Sequence, residues 1–287
     1  IQTVSAVESK TDKNPNILVI LIDDAGYNDF GFMGSKEMQT PNIDALTSEG
    51  VVFTDAHVAA TVSSPSRACL ITGRYGHRFG YECNLSDRTN GLPLEEETIA
   101  EVFKTNGYRT AAIGKWHLGS RDEQHPNNRG FDLFYGMKAG GRDYFYNEKK
   151  SDRPGDERNL LLNDRQVKFE KYLTDAFSEK AVEFINESSQ PFMMYLAYNA
   201  VHTPMQATDE DMAKFEGHPR QKLAAMTYAL DRGVGTVIRG LKDSGKFDNT
   251  LIFFLSDNGG ATTNQSSNYP LKGFKGNKFE GGHRVPY

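Results

Sequence analysis

Cysteine and long apolar runs are both scarce in this chain of 287 residues. Cys69 and Cys83 are its two cysteines, too few for a disulfide framework. They leave either one bridge between them or two free thiols, at least one of them buried. No stretch reaches the roughly 18 apolar residues that a membrane-spanning helix needs. The longest such run, Ile17 to Ile22, has the length of a strand. Positive charge is not in excess either. A formal net charge of -5 argues against a general binder of nucleic acid or acidic membrane surfaces. An anionic substrate would have to be drawn by a local positive site. There is no internal repeat, and there is no initiator methionine. The chain opens at Ile1 and stays polar from Gln2 to Asn16, the pattern of a trimmed N-terminus, which predicts an exported protein, periplasmic or secreted.

What is present is ordinary for a soluble globular protein: 38% apolar and 25% charged residues. The length suits one large core. The reading is a polar arm over 1–15 and one domain over 16–287. Asn16 to Ile22 reads as a buried strand. Thr40-Pro41 can cap and open a helix through Leu46, with Gly50 as its end. Val51 to Phe53 is a short strand candidate. Thr98 to Asn106 places Ile99, Val102 and Phe103 on one helical face before Gly107. Arg109 to Ile113 is strand-like, Tyr172 to Ser188 helical, Pro191 to Ala197 a strand, Gln221 to Ser244 a long helix, and Thr250 to Leu255 another strand. Arg142 to Arg165 reads as a long surface excursion. Strands alternating with helices imply an α/β fold with a central, largely parallel sheet flanked by helices. Ligands gather beyond the carboxyl ends of such strands.

Those ends are chemically dense. Asp23-Asp24 follows the first strand and Asp257-Asn258 the last, giving three carboxylates and an amide oxygen that suit a hard cation such as Ca²⁺. Adjacent carboxylates also need a counter-charge, which a cation supplies. Alone, Asp23-Asp24 is equally a solvated turn or a helix cap. Gly-Lys-Trp-His-Leu-Gly carries Lys115 and His117, alternate residues that a strand would turn to one face. Asn-Ala-Val-His carries His202. A lone histidine at such a position is more often structural than catalytic, and His77 and Arg78 read as surface residues.

The stretch Ser63-Ser-Pro-Ser-Arg67 fits a nucleophile that follows a strand, with a helix starting near Pro65 or Ser66. A helix N-terminus and Arg67 would together favour an anion there. Lys272-Gly-Phe-Lys-Gly-Asn-Lys278 would be a solvated loop, were it not followed directly by Glu280-Gly-Gly and a strand-like exit.

These blocks resemble the type I sulfatases of the alkaline-phosphatase-like superfamily, whose signature is Cys or Ser, any residue, Pro, any residue, Arg, four more, then Thr-Gly. Ser63, Pro65, Arg67, Thr72 and Gly73 match it throughout, and Asp23-Asp24, Gly-Lys-Trp-His-Leu-Gly, Val-His-Thr-Pro, Asp257-Asn258-Gly-Gly and Lys275 before Glu280-Gly-Gly follow the family order. The resemblance runs from Asn16 to Pro286. It implies hydrolysis of a sulfate ester, commonly on a carbohydrate, by a formylglycine at position 63, with one Ca²⁺ held by Asp23, Asp24, Ser63, Asp257 and Asn258. It assigns Arg67 to the formylglycine hydrate, Lys115 and Lys275 to sulfate oxygens, His202 (with Lys275) to the leaving alcohol and His117 to the proton removed when sulfate departs. Asp257 would also help to deprotonate the attacking hydroxyl. Ser63 is then either a natural serine matured to formylglycine by a generating enzyme, which leans bacterial, or an inactivating Cys-to-Ser substitution. The family pattern continues beyond Glu-Gly-Gly with more sheet and a smaller C-terminal subdomain, so that subdomain, part of the substrate pocket and the cover of one sheet edge are expected to be missing here. Arg78, Arg142, Tyr144 and Tyr146 are candidates for sugar subsites. A phosphatase or phosphodiesterase using unmodified Ser63, and a non-catalytic glycan-binding scaffold, are the competing readings.

Overall fold

The computed structural model describes residues 14–84 and 91–287. Most of the expected N-terminal arm lies outside them. The chain forms, in order, β1 (Asn16–Ile22), α1 (Pro41–Ser48), α2 (Ser63–Thr72), α3 (Ile99–Thr105), β2 (Arg109–Lys115), β3 (Leu133–Met137), β4 (Leu161–Leu162), β5 (Arg165–Gln166), α4 (Leu173–Glu187), β6 (Phe192–Ala197), α5 (Asp209–Ala213), α6 (Gln221–Asp243), β7 (Thr250–Ser256) and α7 (Glu280–His283). The seven strands make one sheet in the order β5-β4-β3-β2-β6-β1-β7. The five from β3 to β7 run parallel, and β4 and β5 add a short antiparallel hairpin at one edge. The α/β class expected from the alternation is the class observed.

The sequence of β1 explains its central place. All seven of its residues are buried, because both faces are covered. Leu18, Ile20 and Ile22 join Ile43 of α1, Phe177 and Phe184 of α4 and the long apolar face of α6. Ile17, Val19 and Leu21 join Ala68 and Ile71 of α2 and Ala100 of α3 on the other side. Gly114 marks a very tight sheet contact. It has φ 107°, and a Cβ built there would lie 1.9 Å from Ala197 O of β6. A side chain is excluded there by both sterics and backbone conformation.

Several local expectations change. Val51 to Phe53 is irregular, and the Phe53 amide donates to Tyr287 O at 2.9 Å. No strand leads into Ser63; α2 begins at Ser63 itself, with Pro65 inside its first turn, where a missing amide hydrogen costs nothing. Thr40 makes no side-chain cap for α1. That role passes to Asp231 of α6, which accepts from Ile43 N at 2.8 Å and from Asn42 N at 3.2 Å. Pro41 still opens the helix. Cys69 and Cys83 are free thiols, the first buried and the second exposed.

The 142–165 excursion is not a solvated loop. Arg142 is buried and held by both oxygens of Asp152 at 2.8 Å, and Ser151, Asn159 and Leu160 are buried with it. A doubly paired guanidinium satisfies the cost of burying that charge, a possibility that a polar composition conceals.

At the opposite edge of the sheet β7 has no outer neighbour among the described residues, and Leu251 is 50% exposed. An apolar groove of about 650 Å³ runs along it, lined by residues that include Phe53, Phe247, Leu251, Phe253 and Tyr287.

Candidate active site

Parallel register brings the ends of four strands to one edge. Ile22 of β1 pairs with Ser256 of β7, which sets Asp23 beside Asp257. Asp257 N donates to Ile22 O at 2.9 Å, and Asp24 N to Asp257 Oδ1 at 3.3 Å. Asp23 N donates across to Ala200 O at 2.9 Å, tying in the turn after β6 that carries His202. Lys115 closes β2 on the far side of β6. The N-terminus of α2 points Ser63 at the same place, and the loop carrying Lys275 is pinned to it by Gly276 N donating to Thr61 O at 2.7 Å.

The ten residues that the resemblance assigns to catalysis and metal binding fall in this cluster. Ser63 is 1% exposed. Its Oγ lies 3.1 Å from Asp23 Oδ1 and 3.2 Å from Asn258 Oδ1, so its single proton has two acceptors to choose from. Asn258 Nδ2 donates to Asp24 Oδ1 at 2.8 Å, which orients the amide oxygen toward Ser63. Arg67 donates from Nε and Nη2 to Asp257 Oδ2 at 3.1 and 2.8 Å. Lys115 Nζ donates to Asp23 Oδ2 at 2.5 Å. Lys275 Nζ sits 2.7 Å from Asp24 Oδ1, and His202 Nε2 is 3.7 Å from Asp24 Oδ2. His202 Nδ1 donates to Thr203 O at 2.6 Å, which leaves Nε2 as the nitrogen that faces the cluster.

His117 departs from the expected strand geometry. The strand ends at Lys115, and His117 has φ 58°, so the two side chains are not set by strand alternation. The ring nevertheless remains within electrostatic reach of Lys115, Arg67, Asp23 and His202.

Three carboxylates here face three cationic side chains. Burial opposes the charge on Asp23, yet Lys115, His202, Arg67 and Lys275 together hold its carboxyl well below the usual range. Burial and the neighbouring Asp23 push Asp257 the other way, upward, against the pull of Arg67. Burial lowers Lys115 despite Asp23. Burial, reinforced by Lys115 and Arg67, drives His117 well below the ordinary imidazole value, which favours the neutral ring. The counter-charge that paired aspartates require is thus supplied by side chains, and the pairing alone does not demand a metal. The case for a cation rests on donor chemistry instead. Asp23 Oδ1, Ser63 Oγ and Asn258 Oδ1 are hard oxygens that converge within hydrogen-bond distance, a set that fits Ca²⁺.

The proposed sugar contacts fare differently. Tyr144 is completely buried and Arg142 nearly so, which removes both from any sugar subsite. Tyr146 is partly exposed, and His77 and Arg78 are exposed. Tyr144 has another place. Its hydroxyl lies 2.6 Å from Asn199 O and 2.8 Å from His202 O, on the turn that carries His202.

Two features escaped sequence reading. Asn264, fully buried, donates from Nδ2 to Asp24 O at 3.1 Å and to Val201 O at 2.9 Å, stitching two site loops together. In Gly-Ala-Thr-Thr-Asn it looks like any turn asparagine. Gly140 packs against the His117 ring, where a Cβ would come within 2.5 Å of Nε2. Only the Gly140-Gly141 doublet hinted at a close approach.

A family model described as Sulfatase matches residues 15–287. The uncharacterized sulfatase YdeN of Escherichia coli (strain K12) is 33% identical over an alignment covering 97% of this chain and 58% of that protein. Arylsulfatase J of Mus musculus is 37% identical, covering 94% of this chain and 47% of that protein. Among solved structures, Ps i-CgsB in complex with k-i-k-neocarrahexaose superposes with a TM-score of 0.90 at 46% identity, over 96% of this chain and 65% of that one. The chain therefore spans roughly half to two thirds of the length of these relatives.

Proposed function

The chain belongs to the sulfatase family, and on that premise we propose that it carries the catalytic site of a sulfate ester hydrolase acting on a sulfated carbohydrate. The observation that carries the reading is Ser63 Oγ, buried at the start of α2 and facing a hard-oxygen set backed by Arg67, Lys115 and Lys275. A negative chain overall thus keeps three cations at the place where a sulfate would have to sit. The likeness to a sulfatase-fold structure solved with a neocarrahexaose supports a carbohydrate substrate. Such a substrate is met outside the cytoplasm, in keeping with a periplasmic or secreted protein.

In this reading Asp23, Asp24, Asp257 and Asn258, with the residue at 63, hold Ca²⁺. The ion would supply Lewis-acid charge, and formylglycine at 63, made by a separate maturation enzyme, an aldehyde hydrate with a second hydroxyl. Lys115 and Lys275 each turn an ammonium toward the sulfate oxygens and offset the charge that grows on them. Arg67, locked on Asp257, holds positive charge at the base of the nucleophile without moving. His202 Nε2, its partner nitrogen already committed to Thr203 O, delivers a proton to the departing alcohol. His117, kept neutral by its surroundings, takes the proton from the residue at 63 when sulfate leaves.

The test is sulfate release from sulfated oligosaccharides by protein coexpressed with a formylglycine-generating enzyme, with peptide mass spectrometry across residue 63. Turnover together with loss of two hydrogens at Ser63, both sulfate release and Lys115 being required, is the expected result. Full turnover by Lys115→Ala, or by protein whose Ser63 is unmodified, would overturn the reading.

A further inference from the structure

A second cluster of metal-ligating side chains lies outside the site just described. His57, Glu280 and His283 each offer a ligand atom, and these atoms all lie within 4.8 Å of one another. The backbone beneath them is tied together by hydrogen bonds. His57 forms an antiparallel bridge with Arg284, Val58 N donates to His283 O at 2.9 Å, and Val285 N donates to Ala56 O at 3.0 Å. Glu280 and His283 are the first and last residues of the single turn α7, so they project from one side of it. The segment around His57 and the α7 turn thus bring three donors together from two different parts of the chain.

Two spacings in the cluster are compatible with a tetrahedral site, the His57–Glu280 contact also being a hydrogen bond in its own right. Two imidazoles on one zinc ion, with Zn–N bonds of about 2.05 Å, have ring centres roughly 5 Å apart. The rings of His57 and His283 are 5.0 Å apart, tilted by 37°. A nitrogen and an oxygen bound to the same ion at such lengths are separated by about 3.3 Å. His57 Nε2 and Glu280 Oε2 are separated by 3.2 Å. The charged neighbours leave room. Arg284 approaches Glu280 Oε2 at 3.4 Å, but its Nε and Nη2 are spent on Thr54 O, and a carboxylate has about four acceptor positions to share. Asp55 lies 3.9 Å from His57 Nε2, held at 3.3 Å by Arg284 Nε.

We propose that His57, Glu280 and His283 form a zinc site separate from the oxygen-rich cleft, its fourth position left to water. Two imidazoles and one carboxylate are a borderline set that favours Zn²⁺ over Ca²⁺, whereas the cleft presents hard oxygens. The ion clips the segment that runs on through Thr61 to Ser63 against the one that follows Lys275. It therefore fixes the relative position of the two loops that bring a nucleophile and a cation to the cleft. The exposure of His57 and Glu280 gives zinc direct access from solvent.

Equilibrium dialysis of the whole chain against ZnCl₂, with and without excess CaCl₂, tests this. Because Asp23, Asp24 and His202 could also take up zinc, the readout is the difference between wild type and His57→Ala/His283→Ala. Wild type should bind one more zinc than the double variant, and calcium should not displace it. Outer-sphere changes alone shift metal affinity 10–100-fold, so loss of two ligands should weaken this site by at least about 100-fold. With Co²⁺ as the probe, wild type should show the intense visible absorption of a tetrahedral nitrogen–oxygen site and the double variant should lack it. Glu280→Gln provides a second, gentler variant with an intermediate loss. Equal zinc stoichiometry and affinity in wild type and both variants would refute the site.

Discussion

The hydroxyl of Tyr144 reaches the backbone carbonyl of His202 at 2.8 Å, from a ring with no solvent exposure. A residue read from the sequence as a sugar contact is instead the strut beneath the proposed proton donor.

Tyr144→Phe should therefore leave the fold standing and misplace His202. Asn199 O keeps the His202 amide at 2.9 Å, so the variant removes one hydroxyl donor shared with His202 O, at a cost of about 1–3 kcal/mol. In a sulfate-release assay kcat should fall while KM changes little, since Lys115 and Lys275 are untouched. Poor leaving groups should suffer more than activated aryl sulfates, because only the former need the proton. An equal loss for both would remove the link to His202.

Gly140 and Gly141 make a matched pair. A Cβ at 140 would lie 2.5 Å from His117 Nε2, whereas at 141 the nearest atoms, on His202, are 3.4 Å away. Gly140→Ala should lower turnover by at least about tenfold by displacing the ring, in line with the sensitivity of catalysis to small misplacements. Gly141→Ala should stay near wild type. Similar rates in the two variants would show that His117 does not need its observed position.

Calcium should stabilise the fold as well as serve the reaction. A ligand at about 100 times its Kd adds roughly 2.7 kcal/mol to a protein that binds it only when folded. Thermal melts in CaCl₂ should thus rise relative to melts in a chelator. Asn258→Ala, which removes an oxygen facing Ser63, should abolish most of that rise. A calcium-independent melting temperature in the wild type would count against the ion.

Asp132 offers a pH-dependent handle away from the cleft. Its carboxylate accepts from Thr110 N at 2.9 Å and meets Lys104 Nζ at 2.7 Å, fastening the start of β2 to the chain entering β3. Burial opposes its ionisation, but the Lys104 and Thr110 contacts prevail and lower its pKa. A depressed folded-state value means that its stabilisation is present above the unfolded value near 3.9 and fades as pH falls through the folded one. Asp132→Asn should be less stable than wild type in urea at pH 7, and the gap should narrow as pH falls below about 3.9. A gap that stays constant across that range would rule the carboxylate out as its source.

How much of this was visible in the sequence depends on the kind of signal. β1 announced itself because a strand buried on both faces is apolar throughout. β7 carries a similar apolar run although it is an edge strand and only partly buried, and the residues immediately after the two landed beside each other because parallel pairing fixes their register. Thr98 to Asn106 was legible from the helical spacing of Ile99, Val102 and Phe103 and the stop at Gly107; the reciprocal cap between Thr98 and Glu101 is what the structure adds. Pairing between distant residues was not legible. Arg142 and Asp152 neutralise each other inside a segment whose composition looks solvated. Asp231 caps α1 from 189 positions away, so the local candidate, Thr40, looked sufficient. Composition records what a side chain prefers in water; it is silent about the partner that makes burial tolerable.

The near-complete burial of Ser63 has a consequence for timing. If residue 63 is matured as proposed, an oxidising enzyme would have to take hold of the chain around it, and in the folded protein that segment is the first turn of an enclosed helix. One wall of the enclosure is Asn258, 195 positions further on. At about 5–20 residues per second, the ribosome needs roughly 10–40 s to produce that wall after it has produced the serine. During that interval residue 63 belongs to an unfinished chain and the wall does not exist. Maturation would therefore be a race against synthesis, and slower translation downstream of α2 should raise the fraction of chains that carry the aldehyde.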